Sequence, residues 1–116
     1  MAVTAAEFRR LALSLPDAVE GSHMGHADFR VGGKIFATLG YPNPAHGMVK
    51  LSPAEQARLV DPETEAFMPC AGAWGRQGST SVLLKKVNKS VLKDALQRAW
   101  SDASSKKAAK KTKRKE

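Results

Sequence analysis

Apolar residues near the start of the chain recur on one helix face: Phe8, Leu11, Ala12 and Leu15, with Pro16 barring continuation. Thr4-Ala5-Ala6-Glu7 has the form of a capping box, in which Thr4 accepts from a first-turn N–H and Glu7 reaches back. A helix over about 5–15 is therefore predicted, followed by a polar turn over 16–25. The pattern then changes to strand-like runs, 27–31 and 34–39, flanking Gly32-Gly33. Only glycine takes positive φ at both central positions of a tight turn without steric cost, so a two-residue hairpin is expected. In that register Val31 faces Lys34, Arg30 faces Ile35, and Phe29 pairs with Phe36.

Tyr41-Pro42-Asn43-Pro44 opens a loop that runs to Gly47, and 48–51 reads as a short third strand. Ser52-Pro53-Ala54-Glu55 is the strongest helix start in the chain: Ser52 caps, Pro53 takes the first helical position, and Glu55 completes the box. That helix should end near Val60, before Asp61-Pro62. An extended segment over 65–68, a turn-rich stretch over 69–78 and a strand over 79–85 follow. Asn88 caps a last helix whose Val91, Leu92, Ala95, Leu96, Ala99 and Trp100 share one face. The order is α-β-β-β-α-β-β-α. Hairpin-linked strands pair antiparallel, so the fold class is α+β, an antiparallel sheet flanked by helices. From Ser104 on there is nothing apolar larger than alanine to bury, and residues 104–116 are expected to be a disordered tail after a single domain over 1–103.

The net charge of +8 changes the picture because of where it lies. Lys106–Glu116 contributes +6 and residues 1–105 only +2, so the basicity is an appendage on a nearly neutral domain. A flexible cationic arm drives sequence-independent binding to nucleic acid by releasing condensed counterions. The cations concerned are Lys106, Lys107, Lys110, Lys111, Lys113, Arg114 and Lys115. With alanine as its sole apolar residue type, the tail is a poor membrane anchor. No apolar run is long enough to span a bilayer, and the first fifteen residues interleave Glu7 and two arginines with apolar positions, unlike a secretory signal. The single cysteine, Cys70, cannot form an internal disulfide, which suits a reducing cytoplasm.

Arg30 and Lys34 flank the hairpin turn, where they contact phosphate or simply keep an exposed ribbon soluble. Trp74 and Arg76 sit in Gly72-Ala73-Trp74-Gly75-Arg76-Gln77-Gly78. The glycines would let backbone approach a ligand closely, and the two side chains offer a stacking and cationic pair. The expected place for Trp74 is nevertheless against the core, with Arg76 the better exposed contact. His23, His26, Asp28 and His46 lack a recognised metal-ligand spacing, and no metal or other cofactor is expected. Cys70 lacks a nucleophile signature and is expected to be a buried thiol. Gly33-Lys34 is no phosphate-binding loop, because the earlier glycine is missing and Ile35 stands where Ser or Thr would hold magnesium.

Three segments together resemble the MmcQ/YjbR family of small bacterial proteins. They are Ser22-His23-Met24-Gly25 running into Phe29–Ala37, then Lys50-Leu51-Ser52-Pro53-Ala54-Glu55-Gln56, and Pro69–Gly78. With Leu11–Pro16 and the final helix they cover nearly all of residues 4–103. The resemblance implies a compact α+β domain with strand pairs projecting as two wings, related in shape to secretion chaperones and frataxin-like folds. It also implies DNA binding, with Arg30, Lys34, Trp74 and Arg76 at the matching positions. Three acids in 61–68 dilute any basic face, and the Lys-rich tail lies outside the shared domain.

The expectation is a non-enzymatic cytoplasmic protein, monomeric or weakly dimeric, that binds nucleic acid, preferentially duplex DNA. The tail supplies affinity, Arg30, Lys34, Arg76, Lys85 and Lys86 orient the domain, and Lys50 adds a phosphate contact. A protein-interaction module of chaperone type, and a small-molecule site around Trp74, Arg76 and His23, are the two competing expectations.

Overall fold

The computed structural model describes residues 3–23, 25–40, 44–61, 63 and 65–115, with backbone alone for His23 and residues 105–115. Its elements are α1 (Ala5–Leu13), β1 (Val19–His23), β2 (His26–Val31), β3 (Lys34–Leu39), β4 (His46–Lys50), α2 (Pro53–Leu59), β5 (Phe67–Pro69), α3 (Gly72–Arg76), β6 (Ser79–Leu83) and α4 (Lys89–Lys115). The six strands form one antiparallel sheet in the order β1-β2-β3-β4-β6-β5. The α+β class is as the sequence predicts. Two elements are additional: β1, within the expected polar turn, and α3, within the turn-rich stretch.

Local chemistry sets the element ends. Both capping boxes form: Glu7 N–H donates to Thr4 Oγ1 at 3.1 Å, and Glu55 N–H to Ser52 Oγ at 3.2 Å. The Thr4 N–H, donated back to Glu7, holds that carboxyl below its ordinary range. Asn88 Oδ1 accepts from Ser90 N–H at 2.8 Å and opens α4. The turn glycines have φ of 58° at Gly32 and 82° at Gly33, the left-handed pair a two-residue hairpin demands.

Val31 faces Lys34 and Arg30 faces Ile35, as expected, but Phe29 pairs with Ala37 rather than Phe36. An irregularity between Phe29 and Arg30 shifts the register by one residue on β3. Both phenylalanines are fully buried as a result. Phe29 meets Phe8 of α1 at a ring-centroid separation of 6.0 Å.

Cross-strand partners share a sheet face. Asp28, Thr38, Met48 and Ser81 therefore form one row across β2, β3, β4 and β6, and Phe29, Ala37, Val49 and Thr80 form a row on the opposite face. Leu92, Ala95, Leu96 and Ala99 of α4 complete the core, and Trp100 Nε1 donates to Pro16 O at 2.8 Å.

From Ser104 the axis continues: α4 runs as one helix to Lys115. Alanine, lysine and arginine are strong helix formers, and a helix already nucleated by its packed half elongates one residue at a time without a new nucleus. The stretch after Ala103 extends the axis by about 18 Å.

Gly47 shows how closely α1 lies on the sheet. A Cβ at this position would come within 2.6 Å of Phe8 Cε2. Gly47→Ala is expected to destabilise the protein by about 1–3 kcal/mol through overpacking, measured by urea unfolding. Adding Phe8→Leu should recover part of that loss.

Candidate functional site

The strand register sorts the predicted cations into two groups. Lys50 stands opposite Ser79 and His46 opposite Leu83, so Lys50 lies toward the start of β6. The β3–β4 register runs the same way, which puts the Gly32-Gly33 turn and Lys34 at that same end. Lys85 and Lys86 follow Leu83 in the turn before α4 and belong to the opposite end. Lys34 and Lys50 therefore do not share an end of the sheet with Lys85 and Lys86. α4 starts beside them and runs back along the sheet, so that Ala99, Asp102 and Ala103 reach the hairpin end.

At the hairpin end a cleft of about 750 Å3 is bordered by Lys34, Thr38, Met48, Lys50, Trp74 and Asp102, among others. Among the described residues neither Lys34 nor Lys50 is in an ion pair. Trp74 is 58% exposed, against the expectation that it packs on the core. Arg76 is exposed, as expected. Thr38 is 2% exposed, yet its hydroxyl makes no hydrogen bond among the described residues.

The wall carrying Trp74 is fixed from behind by Gln56 on α2. Its buried Nε2 lies within hydrogen-bonding distance of Gly75 O at 2.9 Å, Ser79 O at 3.1 Å and Thr80 Oγ1 at 3.1 Å. The motif glycines do permit a close backbone approach, but to the chain itself rather than to a ligand. A Cβ at Gly75 would fall 1.7 Å from Cys70 O, and one at Gly78 would fall 1.7 Å from Leu51 O. Only glycine fits either crossing, and Gly78 also has φ of 114°.

Arg30 is differently placed from Lys34. Its Nε donates to Asp28 Oδ1 at 2.7 Å and its second nitrogen to Oδ2 at 3.0 Å, a bidentate pair over a fully buried carboxylate. That pairing raises the guanidinium pKa further. Gly21 on β1 leaves the room, since a Cβ there would sit 3.0 Å from Asp28 Oδ1 and 3.1 Å from Arg30 Nε. Residues two apart on a strand share a face, and that spacing is the sequence signal for the pair. Arg30 thus has a structural duty that a phosphate contact would compete with.

Of the histidines, His23 pairs with His26 across β1 and β2, and its side chain lies outside the described residues, as do those of Lys106, Lys107, Lys110, Lys111, Lys113, Arg114 and Lys115. Among the described residues no group of three His, Cys, Asp or Glu side chains is placed to hold a metal ion. Cys70 is half-buried, and that burial pushes its thiol pKa up, opposite to the shift that activates a nucleophile. No helix among them is long and apolar enough to cross a membrane.

The YjbR family model matches residues 13–102, which contain the sheet, the cleft wall and the packed half of α4. The chain belongs to the YjbR family. Its fold is also that of a solved structure, Deinococcus radiodurans protein DR2400, described by a DUF419 domain. The two are 18% identical, superpose with a TM-score of 0.70, and the match covers 85% of this chain and 77% of that one. No curated protein matches the sequence. In this YjbR-family chain the basic extension after Asp102 falls outside the family match.

The two kinds of cation should separate on mutation. Arg30→Ala strips Asp28 of its bidentate partner and is expected to lower the urea midpoint clearly. Lys50→Ala, on an exposed side chain without an ion pair among the described residues, should stay within about 0.5 kcal/mol of the parent. Equal midpoints for the two variants would contradict a structural role for the Arg30–Asp28 pair.

Proposed function

We propose that this protein binds nucleic acid, duplex DNA in the first place, through the hairpin end of its sheet and the basic continuation of α4. The observation that carries the reading is a coincidence of position. The helix whose continuation holds seven Lys or Arg residues leaves the domain at Ala103, beside the cleft bordered by Lys34 and Lys50. Of the other ten Lys or Arg side chains in residues 1–105, four are paired internally among the described residues: Arg9 with Glu20, Arg30 with Asp28, Lys89 with Glu7, and Arg98 with Asp94 and Glu55.

Phosphate neutralisation by the extension provides affinity without sequence preference. Lys34, Lys50 and Arg76 orient the domain against the backbone. Lys85 and Lys86 lie at the far end and take no part in the same contact. Exposed large apolar side chains favour a protein partner less, because Leu13, Val19, Trp74 and Val91 lie on four different elements rather than in one stripe.

Fluorescence anisotropy of a labelled duplex across a salt series tests the proposal. Six engaged charges give a log–log slope of roughly −5, with affinity falling about a thousandfold between about 50 and 200 mM salt. Replacing the seven cations after Ser105 by glutamine should flatten that slope and weaken binding strongly. Lys34→Ala with Lys50→Ala should weaken what remains. Failure of the full chain to bind duplex even at low salt would overturn the reading.

A further inference from the structure

The cleft at the hairpin end is too small for a duplex, and its chemistry is not that of a flat phosphate-tracking surface. Its volume of about 750 Å3 lies within the roughly 300–1,000 Å3 of small-ligand sites. Two lysines that make no ion pair among the described residues, an acid, Asp102, and a largely exposed indole, Trp74, border the same space. Thr38 borders it too, and its hydroxyl is buried without a hydrogen-bond partner. A buried hydroxyl without a partner is costly in a native protein, so an unmet group of this kind in a cleft wall points to a partner that arrives from outside. One rotamer step about χ1 re-aims a threonine hydroxyl toward an incoming acceptor.

We infer that this cleft is a binding site for a single nucleotide unit, either a free mononucleotide or one unpaired nucleotide of a single strand. Each wall has a matching group on that ligand. The phosphate is held by the ammonium groups of Lys34 and Lys50. The base stacks on the indole of Trp74, a contact open to any base because every base has a π-face. Asp102 accepts from base N–H donors, which a purely anionic ligand such as a dicarboxylate lacks. Thr38 donates to a sugar or base oxygen. The inference does not depend on duplex binding, and it does not involve the extension beyond Ala103.

Tryptophan emission of the full chain, titrated with adenosine monophosphate, adenosine, inorganic phosphate, a ten-nucleotide single strand and the corresponding duplex, tests the site. Saturable quenching by the mononucleotide or the single strand, lost in Trp74→Leu, is expected. Comparable binding of both marks a free nucleotide as a sufficient ligand, whereas binding of the strand alone assigns the site to an unpaired unit of a chain. Lys34→Ala with Lys50→Ala should weaken that binding about tenfold or more.

Thr38→Val supplies the second readout. It should reduce affinity severalfold while leaving the urea midpoint unchanged or raised, because it removes an unpartnered polar atom from a buried position. Thr38→Ser should restore binding. Quenching by the duplex alone would overturn the nucleotide site and leave duplex binding standing. So would a Thr38→Val variant that binds normally but unfolds more easily, since that pattern marks a purely structural hydroxyl. Absence of saturable quenching by the mononucleotide and the single strand alike would also overturn it.

Discussion

The candidate site depends on the two places where backbone crosses backbone at a distance only glycine allows. Gly75 against Cys70 O seats α3 on the residue just after β5, and Gly78 against Leu51 O brings the strand that follows α3 hard against the end of β4. Gln56 lies within hydrogen-bonding reach of three acceptors in the pocket left by that crossing. A buried carboxamide with this many partners is fixed in position, and it links α2 to α3 and β6 together. Trp74 can therefore stand more than half exposed on a five-residue helix without that helix being loose. The indole's exposure is the consequence of a wall held from behind.

Charge follows from packing in the same way. The domain is nearly neutral, yet its cations are not equivalent, because ion pairing separates them by element. Arg98 reaches Asp94 on its own helix at 2.8 Å and Glu55 on α2 at 3.4 Å, joining α4 to the capped start of α2. Arg30 covers Asp28, and Arg9 reaches Glu20. Long side chains of this kind contribute packing as well as charge. Among the described residues, the pairings leave Lys34, Lys50 and Arg76 at the hairpin end, and strand register brings the first two to one cleft although sixteen positions separate them in sequence. Net charge alone gives no hint of this division.

The parts of the fold legible in the sequence are those with local causes. Capping boxes, the proline after Ser52, the paired turn glycines and the apolar face of α4 each state their element within a few residues. β1 was not legible, because in Val19-Glu20-Gly21-Ser22-His23 only Val19 favours a strand and no apolar–polar alternation follows it. It is a strand because β2 offers an edge and because Gly21 clears space over Asp28. α3 was hidden for a related reason: Gly75, which reads as turn punctuation, serves a close backbone contact with Cys70 O. The register slip at Phe29 also lies beyond local reasoning, since an ideal hairpin would have paired the two phenylalanines. Of the candidate site, Lys34, Lys50 and Trp74 were visible as residues but not as neighbours. Thr38 carried no signal at all, as nothing in Ala37-Thr38-Leu39 distinguishes a satisfied hydroxyl from an unsatisfied one.

The hairpin end thus combines two features that make opposite demands on a ligand. As proposed, the basic continuation of α4 would reward many phosphates at once and be screened steeply by salt, so it would favour long polyanions. The cleft admits one small group, and the two lysines there neutralise at most a couple of charges, which gives a shallow salt dependence. Under the two proposals, a strand with an unpaired nucleotide would meet both demands together, its phosphates along the extension and one base on Trp74. A duplex would reach the extension and the two lysines but not the indole, and a free nucleotide would use the cleft alone. Salt slope and Trp74 emission therefore report on different halves of the same end of the molecule. Measured on one set of ligands, they separate affinity that comes from charge density from affinity that comes from shape.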